Sequence, residues 1–248
     1  MHRFYIPPAQ WEPAVLRLTG PEAHHARNVL RFEPGNKAVL FNGHGREITA
    51  EVTSVSAREI TLRKLHEATT EPFRCRITLA QAIPKGKHMD LIVQKAVEIG
   101  AAEIVPIMSD RTVVRLDAKD AEQKQAKWQT VAVEAAKQCG QNWLPAVRTP
   151  LTMADFLRDR RPADLQLIGS LQSDARHLKE ILADFTQGKD EKRPATVMMM
   201  IGPEGDFTPA ELNLARASGC RPITLGPIIL RVETAAIYCL SVLSYELL

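Results

Sequence analysis

Residues Val197-Met-Met-Met-Ile201 are apolar with no polar alternation, and they run straight into Gly202-Pro-Glu-Gly205. A strand with one face in water alternates apolar and polar side chains, so a short unbroken apolar run fits a strand buried on both faces of a parallel sheet. After the loop come Thr208 as helix N-cap, Pro209 in the first helical position and Glu211 completing a capping box. The Gly-Pro-Glu-Gly segment is therefore a tight turn between a buried strand and a helix. In open α/β sheets ligands bind beyond the carboxyl ends of the strands, and glycine there lets a ligand approach the backbone.

The same alternation extends from Cys75 to the C-terminus. Cys75 to Ile83 reads as a strand, His88 to Ile99 as an amphipathic helix (Met89, Ile92, Val93, Ala96, Val97) stopped by Gly100, and Glu103 to Met108 as a strand. A long helix near Lys119 to Cys139, a strand at Ala146 to Arg148, a short helix at Met153 to Arg158 and a strand at Leu165 to Ile168 follow. A helix around Ala175 to Phe185 and a charged loop from Gly188 to Pro194 lead to the apolar run. Residues 73–248 are thus expected to form an α/β domain with a parallel sheet covered on both sides.

Residues 1–72 are different in kind. Lys37 to Asn42, Glu47 to Val55 and Glu59 to Lys64 are rich in Val, Ile, Leu and Thr, with Gly35, Gly43 and Gly45 as turn signals. This predicts a small β domain with one helical insertion at Pro21 to Leu30, where Ala23, Ala26 and Leu30 share a face. His66 to Phe73, polar and containing a proline, reads as the linker.

Charge and composition narrow the function. The 32 Lys and Arg against 29 Asp and Glu leave +3, too little for binding nucleic acid by bulk charge. The aromatics (7 Phe, 3 Trp, 3 Tyr) are too few for a single-strand stacking platform. Cys75, Cys139, Cys220 and Cys239 have no metal-ligand or C-x-x-C spacing and read as reduced core thiols of a cytoplasmic protein. Adjacent His24 and His25 would point about 100° apart on a helix, a poor chelating pair, so no metal is expected. No stretch has the ~20 apolar residues that a membrane span needs. Nucleotide-loop, dinucleotide, zinc-peptidase and serine-hydrolase motifs are missing from the sequence.

Two sets of residues carry candidate chemistry. Pro222 to Leu225 reads as a short strand, and Gly226-Pro-Ile-Ile-Leu-Arg231-Val-Glu233-Thr234 then leads into the apolar final helix with Thr234 as its cap. Arg231 and Glu233 are thereby held at a strand-to-helix junction, although an exposed ion pair would look the same in sequence. Lys85, Lys87, Arg111 and Arg115 fall in loops after two other strands, on the same side of the sheet. Four such cations make a phosphate-binding candidate, against the plainer reading of solvated loop charge.

Gly202-Pro-Glu-Gly205, Leu225-Gly-Pro-Ile-Ile-Leu-Arg-Val-Glu-Thr-Ala235, Gln94-Lys-Ala-Val-Glu-Ile-Gly100 and His25-Ala-Arg-Asn-Val-Leu-Arg31 with Gly35 together resemble the ribosomal small subunit methyltransferase E family. The resemblance covers nearly the whole chain. It implies an S-adenosylmethionine-dependent enzyme that methylates N3 of one uridine in 16S rRNA of the small ribosomal subunit. It also implies a SPOUT-class α/β domain tied in a trefoil knot, preceded by a PUA-like β domain, and assembled as a homodimer. Topology rules alone would argue against a knot.

By that resemblance, Ile201, Gly202, Pro203, Glu204, Gly205, Leu225, Gly226, Leu230 and Thr234 hold the cofactor, and Arg231 and Glu233 are the catalytic pair. RNA would meet His25, Arg31, Lys85, Lys87, Arg111 and Arg115. Asp206, Ile228 and Gln141 depart from the family pattern, standing where glycine, a basic residue and arginine are usual. The residues by themselves leave open methylation of another rRNA or tRNA site, and a non-catalytic rRNA-binding assembly factor.

Overall fold

The computed structural model describes residues 1–112, 116–186 and 193–248. Arg115 and most of the Gly188 to Pro194 loop lie outside the described residues. The chain divides into two compact units, Met1–Pro72 with Val133–Leu144, and Phe73–Ala132 with Pro145–Leu248.

In the first unit, β1 (His2–Tyr5), β2 (Leu16–Thr19), β3 (Lys37–Phe41), β4 (Arg46–Val55) and β5 (Glu59–Thr69) form one sheet in the order β1-β3-β4-β5-β2. Only β1 and β3 pair in parallel. Alternate residues such as Phe4, Leu18, Leu40, Ile48 and Ile60 point into its core. The helical insertion is present but broken: α1 (Gly20–His24) passes directly into a π-turn, His25–Val29. That turn closes with Arg31 in the left-handed region at φ 53° and the Phe32 N–H on the Ala26 carbonyl at 2.9 Å. The linker expectation needs correcting, because His66 to Thr69 belong to β5 and pair with β4. Pairing partners across the hairpin outweigh the polar composition of this stretch.

The second unit carries β6 (Arg76–Ala82), α2 (His88–Ile99), β7 (Glu103–Met108), α3 (Ala118–Cys139) as far as Ala132, β8 (Ala146–Val147), β9 (Leu151–Thr152) and α4 (Met153–Asp159). β10 (Leu165–Gly169), β11 (Arg176–His177), α5 (Leu178–Thr186), β12 (Thr196–Ile201), α6 (Pro209–Ala217), β13 (Arg221–Thr224) and α7 (Val232–Leu247) complete it. The helix expected from Ala175 thus starts at Leu178, since Arg176 and His177 pair with β13.

The sheet runs β11-β13-β10-β12-β6-β7-β8 with β9 also on β7, and all of its pairings are parallel. The apolar run sits at its centre, between β10 and β6. Met198 and Met200 pack on one face with Phe156, Phe207 and Leu212. Val197, Met199 and Ile201 take the opposite face by the strand's two-residue period, on the side where α7 lies over β6 and β12 and packs on α2. The five α2 residues expected in the core are all buried. Because every strand of this sheet points the same way, the loops after β6, β7, β10, β12 and β13 leave from one edge.

Cys75, Cys220 and Cys239 are buried, whereas Cys139 is exposed and is not the core thiol expected. Burial pushes the thiols of Cys75 and Cys220 up to about 11 and that of Cys239 up to about 12. These three are therefore neutral packing residues at physiological pH.

Candidate active site

The loop after β12 is built by its own side chains. Thr208 caps α6, with the Glu211 N–H on its Oγ1 at 3.3 Å, and the Glu211 carboxylate accepts the Thr208 N–H at 2.8 Å. Glu211 is buried, and its other oxygen accepts the Asp110 N–H at 2.9 Å, fastening the loop after β7 to the same helix start. Asp206 takes φ 61°, the left-handed region that glycine enters most easily, and its Oδ1 accepts the Phe207 N–H at 2.8 Å. A Cβ on Gly202 would stand 3.3 Å from that Oδ1 and 3.4 Å from the Phe207 ring, a tight fit that a larger residue would meet only by displacing Asp206 or Phe207 slightly.

Two further contacts hold this turn. Glu204 accepts the backbone N–H of Lys85 at 2.9 Å, and the Arg111 guanidinium donates to the Gly205 carbonyl. Across the sheet edge, Gly226 at φ 113° turns the chain out of β13. Arg231, in extended conformation at φ −62° and ψ 153°, is the N-cap of α7. Helix α7 thus begins at Val232, three residues before the expected start, and Thr234 lies inside its first turn instead of capping it.

Between these loops lies a cavity of about 460 Å³, lined from the ends of β10, β12 and β13 and the starts of α2 and α7. That is within the usual range for a small-molecule site. Of the expected residues, Ile201, Gly202, Pro203, Glu204, Leu225, Gly226, Leu230, Arg231 and Glu233 line it. Gly205 and Thr234 are not among its lining residues. Gly169, Ser170, Leu171, Asp206, Thr224 and His88 line it as well and were missed by sequence reasoning. Gly169, Ser170 and Leu171 follow directly from the strand-end rule applied to β10. His88 was obscured by the lysines of its loop.

The walls combine apolar Leu171, Ile201, Leu225, Ile229 and Leu230 with the polar Ser170 and Thr224. The charged groups are Glu204, Asp206, Glu233 and Arg231, with the Nδ1 of His88 3.7 Å from the Glu233 carboxylate. Three carboxylates against one guanidinium suit a ligand that brings positive charge. The apolar walls suit a flat ring. Among the described residues no group of three His, Cys, Asp or Glu is placed to hold a metal ion.

The expected RNA-contacting residues are placed differently. Lys85, Lys87 and Arg111 are exposed in loops at the carboxyl edge of the parallel sheet. His25 and Arg31 belong to the first unit, where Arg31 is exposed and the His25 ring is half-buried, edge-on to Phe4 at 6.3 Å.

Residues 71–244 match the profile of an RNA methyltransferase domain, and residues 18–65 that of an RNA methyltransferase PUA domain. Ribosomal RNA small subunit methyltransferase E of Bacillus subtilis (strain 168) is 31% identical over 241 residues, covering 95% of this chain and 91% of the relative. The chain belongs to the ribosomal RNA small subunit methyltransferase E family. The enzyme of that name from Mesomycoplasma hyopneumoniae (strain 232) is 33% identical over 245 residues, covering 97% of this chain and 98% of its own. The crystal structure of the Neisseria gonorrhoeae family member, bound to S-adenosyl methionine, superposes with a TM-score of 0.85 at 32% identity, covering 100% of this chain and 98% of that one. A parallel-sheet methyltransferase domain preceded by a PUA-like β domain is therefore the architecture of this rRNA methyltransferase.

Proposed function

We propose that this enzyme uses S-adenosylmethionine to methylate N3 of one uridine in 16S rRNA of the small ribosomal subunit. The observation that carries the reading is the cavity at the ends of β12 and β13, with Arg231 and Glu233 on its wall. Its residues fit the cofactor, whose ammonium and sulfonium charges exceed its single carboxylate and so match three carboxylates and one guanidinium. Backbone and side chains of Ile201 to Glu204 and of Leu225 to Leu230 would hold it, and Leu171, Ile201 and Leu225 offer apolar surface for the adenine. When bound, the cofactor supplies an already activated methyl group, so the chain has no need of a metal.

What remains for the protein is alignment and a proton. Alignment in well-oriented intramolecular models is worth up to about 7–11 kcal/mol. In this reading Arg231 stabilises negative charge growing on the uracil oxygens, and Glu233 orients it or helps take the N3 proton. The target base must leave its stack to reach the cavity. Lys85, Lys87, Arg111 and Arg115, with His25 and Arg31 in the first unit, would position the RNA through its backbone.

The same reading carries a trefoil knot, a homodimer and a cytoplasmic site of action. Thr234, Tyr238, Ser241 and Tyr245, at helical spacing along α7, are exposed. They support a self-association face, since Tyr245 is 88% exposed.

The test is incubation with labelled S-adenosylmethionine and unmodified small subunits, free 16S rRNA or tRNA, followed by nucleoside analysis. 3-Methyluridine from the small-subunit RNA supports the reading. Label in tRNA alone moves the substrate. Absence of cofactor binding by calorimetry makes the chain a non-catalytic rRNA-binding factor.

A further inference from the structure

His88 stands on the cavity wall opposite a carboxylate that the catalytic reading already uses. It is the first residue of α2, and its Nδ1 lies 3.7 Å from Oε1 of Glu233 in the first turn of α7. The His88 side chain is 49% exposed and that of Glu233 only 17%, so the imidazole reaches both the cavity and bulk water, while the carboxylate, which also lines the cavity, is largely shielded from solvent.

We propose that His88 accepts the proton that leaves uracil N3, with Glu233 as a positioning residue that orients the imidazole; this rests on the uridine N3 reading above. The other charged groups facing the site are held in place by other bonds or are unsuited. Glu204 gives one oxygen to the Lys85 N–H, and Asp206 gives one to the Phe207 N–H, which fixes both carboxylates to the turn. Arg231 cannot accept a proton because guanidinium stays charged. Lys85 and Lys87, in the loop before His88, carry ammonium groups, which donate hydrogen bonds and accept none. Beyond its approach to Glu233, the His88 side chain has no polar partner among the described residues.

Imidazole suits the task because its two nitrogens do different work. A carboxylate facing Nδ1 favours the tautomer with the proton on Nδ1, leaves Nε2 as the acceptor, and stabilises the imidazolium once a second proton arrives. The 3.7 Å separation exceeds hydrogen-bond length, as is common for catalytic contacts before substrate is bound. In the balanced step, the bond from N3 to the methyl carbon forms as the carbon–sulfur bond breaks. The sulfur keeps that bond's electron pair, and the N3 proton passes to Nε2. The imidazolium then gives its proton to water from its exposed side.

The first measurement needs neither RNA nor turnover. Ring-nitrogen NMR of 15N-histidine-labelled protein is expected to show His88 protonated on Nδ1, and Glu233→Gln is expected to shift both of its ring resonances. Unchanged resonances would remove Glu233 from the positioning role. The second measurement is single-turnover methyl transfer with saturating cofactor and RNA. His88→Ala and His88→Gln are expected to lose about 10²–10⁴ in rate, with cofactor and RNA affinities within twofold of wild type. Added imidazole restores part of the rate to His88→Ala and none to His88→Gln, whose side chain fills the gap. A His88→Ala enzyme within threefold of wild type, or one slowed with weakened cofactor binding and no imidazole rescue, overturns the proposal alone. Absence of 3-methyluridine from the wild-type reaction overturns the uridine reading and the proposal with it.

Discussion

The Glu204 carboxylate accepts the backbone N–H of Lys85 at 2.9 Å, joining the loop after β12 to the loop after β6. The glycine-rich turn is thus braced by a charged hydrogen bond instead of being left to fluctuate. Both residues are exposed, so the bond contributes about 1 kcal/mol. Glu204→Ala is expected to weaken S-adenosylmethionine binding about fivefold while leaving the thermal midpoint nearly unmoved. Calorimetry beside a melting curve checks this, and an unchanged Kd would show that the turn holds its shape without the brace.

The proposed function gives Arg111 two roles that can be separated. Its guanidinium donates to the Gly205 carbonyl, and its exposed remainder is available to a phosphate. Arg111→Ala is expected to raise the cofactor Kd severalfold and to reduce the salt slope of RNA binding by up to ~0.7–0.9 log units for one lost phosphate contact. A changed cofactor Kd with an unchanged slope would make Arg111 a strut for the turn and remove it from the RNA contacts.

Asp206 holds a glycine-like conformation at φ 61° with its own carboxylate on the next N–H. Alanine cannot make that bond and still bears the steric cost of a left-handed residue, about 1–2 kcal/mol. Asp206→Ala is therefore expected to melt lower by about 2–4 °C for each kcal/mol lost. Asp206→Gly is expected to lose less, because it gives up the bond but relieves the backbone. Equal melting of the two variants would place the strain elsewhere in the turn.

Glu47 gives the first unit a pH-dependent contribution of known sign. Burial works to raise its pKa, but hydrogen bonds from Arg3 at 2.9 Å and Asn142 at 3.0 Å outweigh it and hold the carboxyl below its ordinary range. A lowered folded pKa means stability that is fully present above the unfolded value, ~4.3, and is lost as pH falls through the folded value. Glu47→Gln is expected to cost about 1–3 kcal/mol at neutral pH, with the gap to wild type closing below about pH 4. Urea titrations across that range test it, and a gap that persists at low pH would deny the carboxylate its role.

The elements that carried strong local signals were legible. The uninterrupted apolar run fits a strand buried on both faces, and it lies at the centre of the parallel sheet. Helix α2 and strand β7 have the bounds that their periodicity implied, and the Thr208–Glu211 capping box is present as spaced. Each of these is dictated by nearest neighbours along the chain. Where pairing with another strand decides the conformation, local composition misleads. His66 to Thr69 look like a linker until β4 pairs with them, and Arg176 and His177 look helical until β13 does.

The site divides along the same line. Residue order alone shows that glycine-rich turns follow two strands, that Arg231 and Glu233 stand at the start of the last helix, and which family those residues resemble. Which of them share a cavity is settled by the folding of the sheet. It excluded Gly205 and Thr234 from the lining, admitted Ser170 and Asp206, and set His88 opposite Glu233 across 145 positions of chain (233 − 88). The physical reason is that a parallel sheet gathers the ends of strands that are distant in sequence onto one edge. Local spacing fixes each loop, but which side chains meet depends on strand order, and no local periodicity encodes that order.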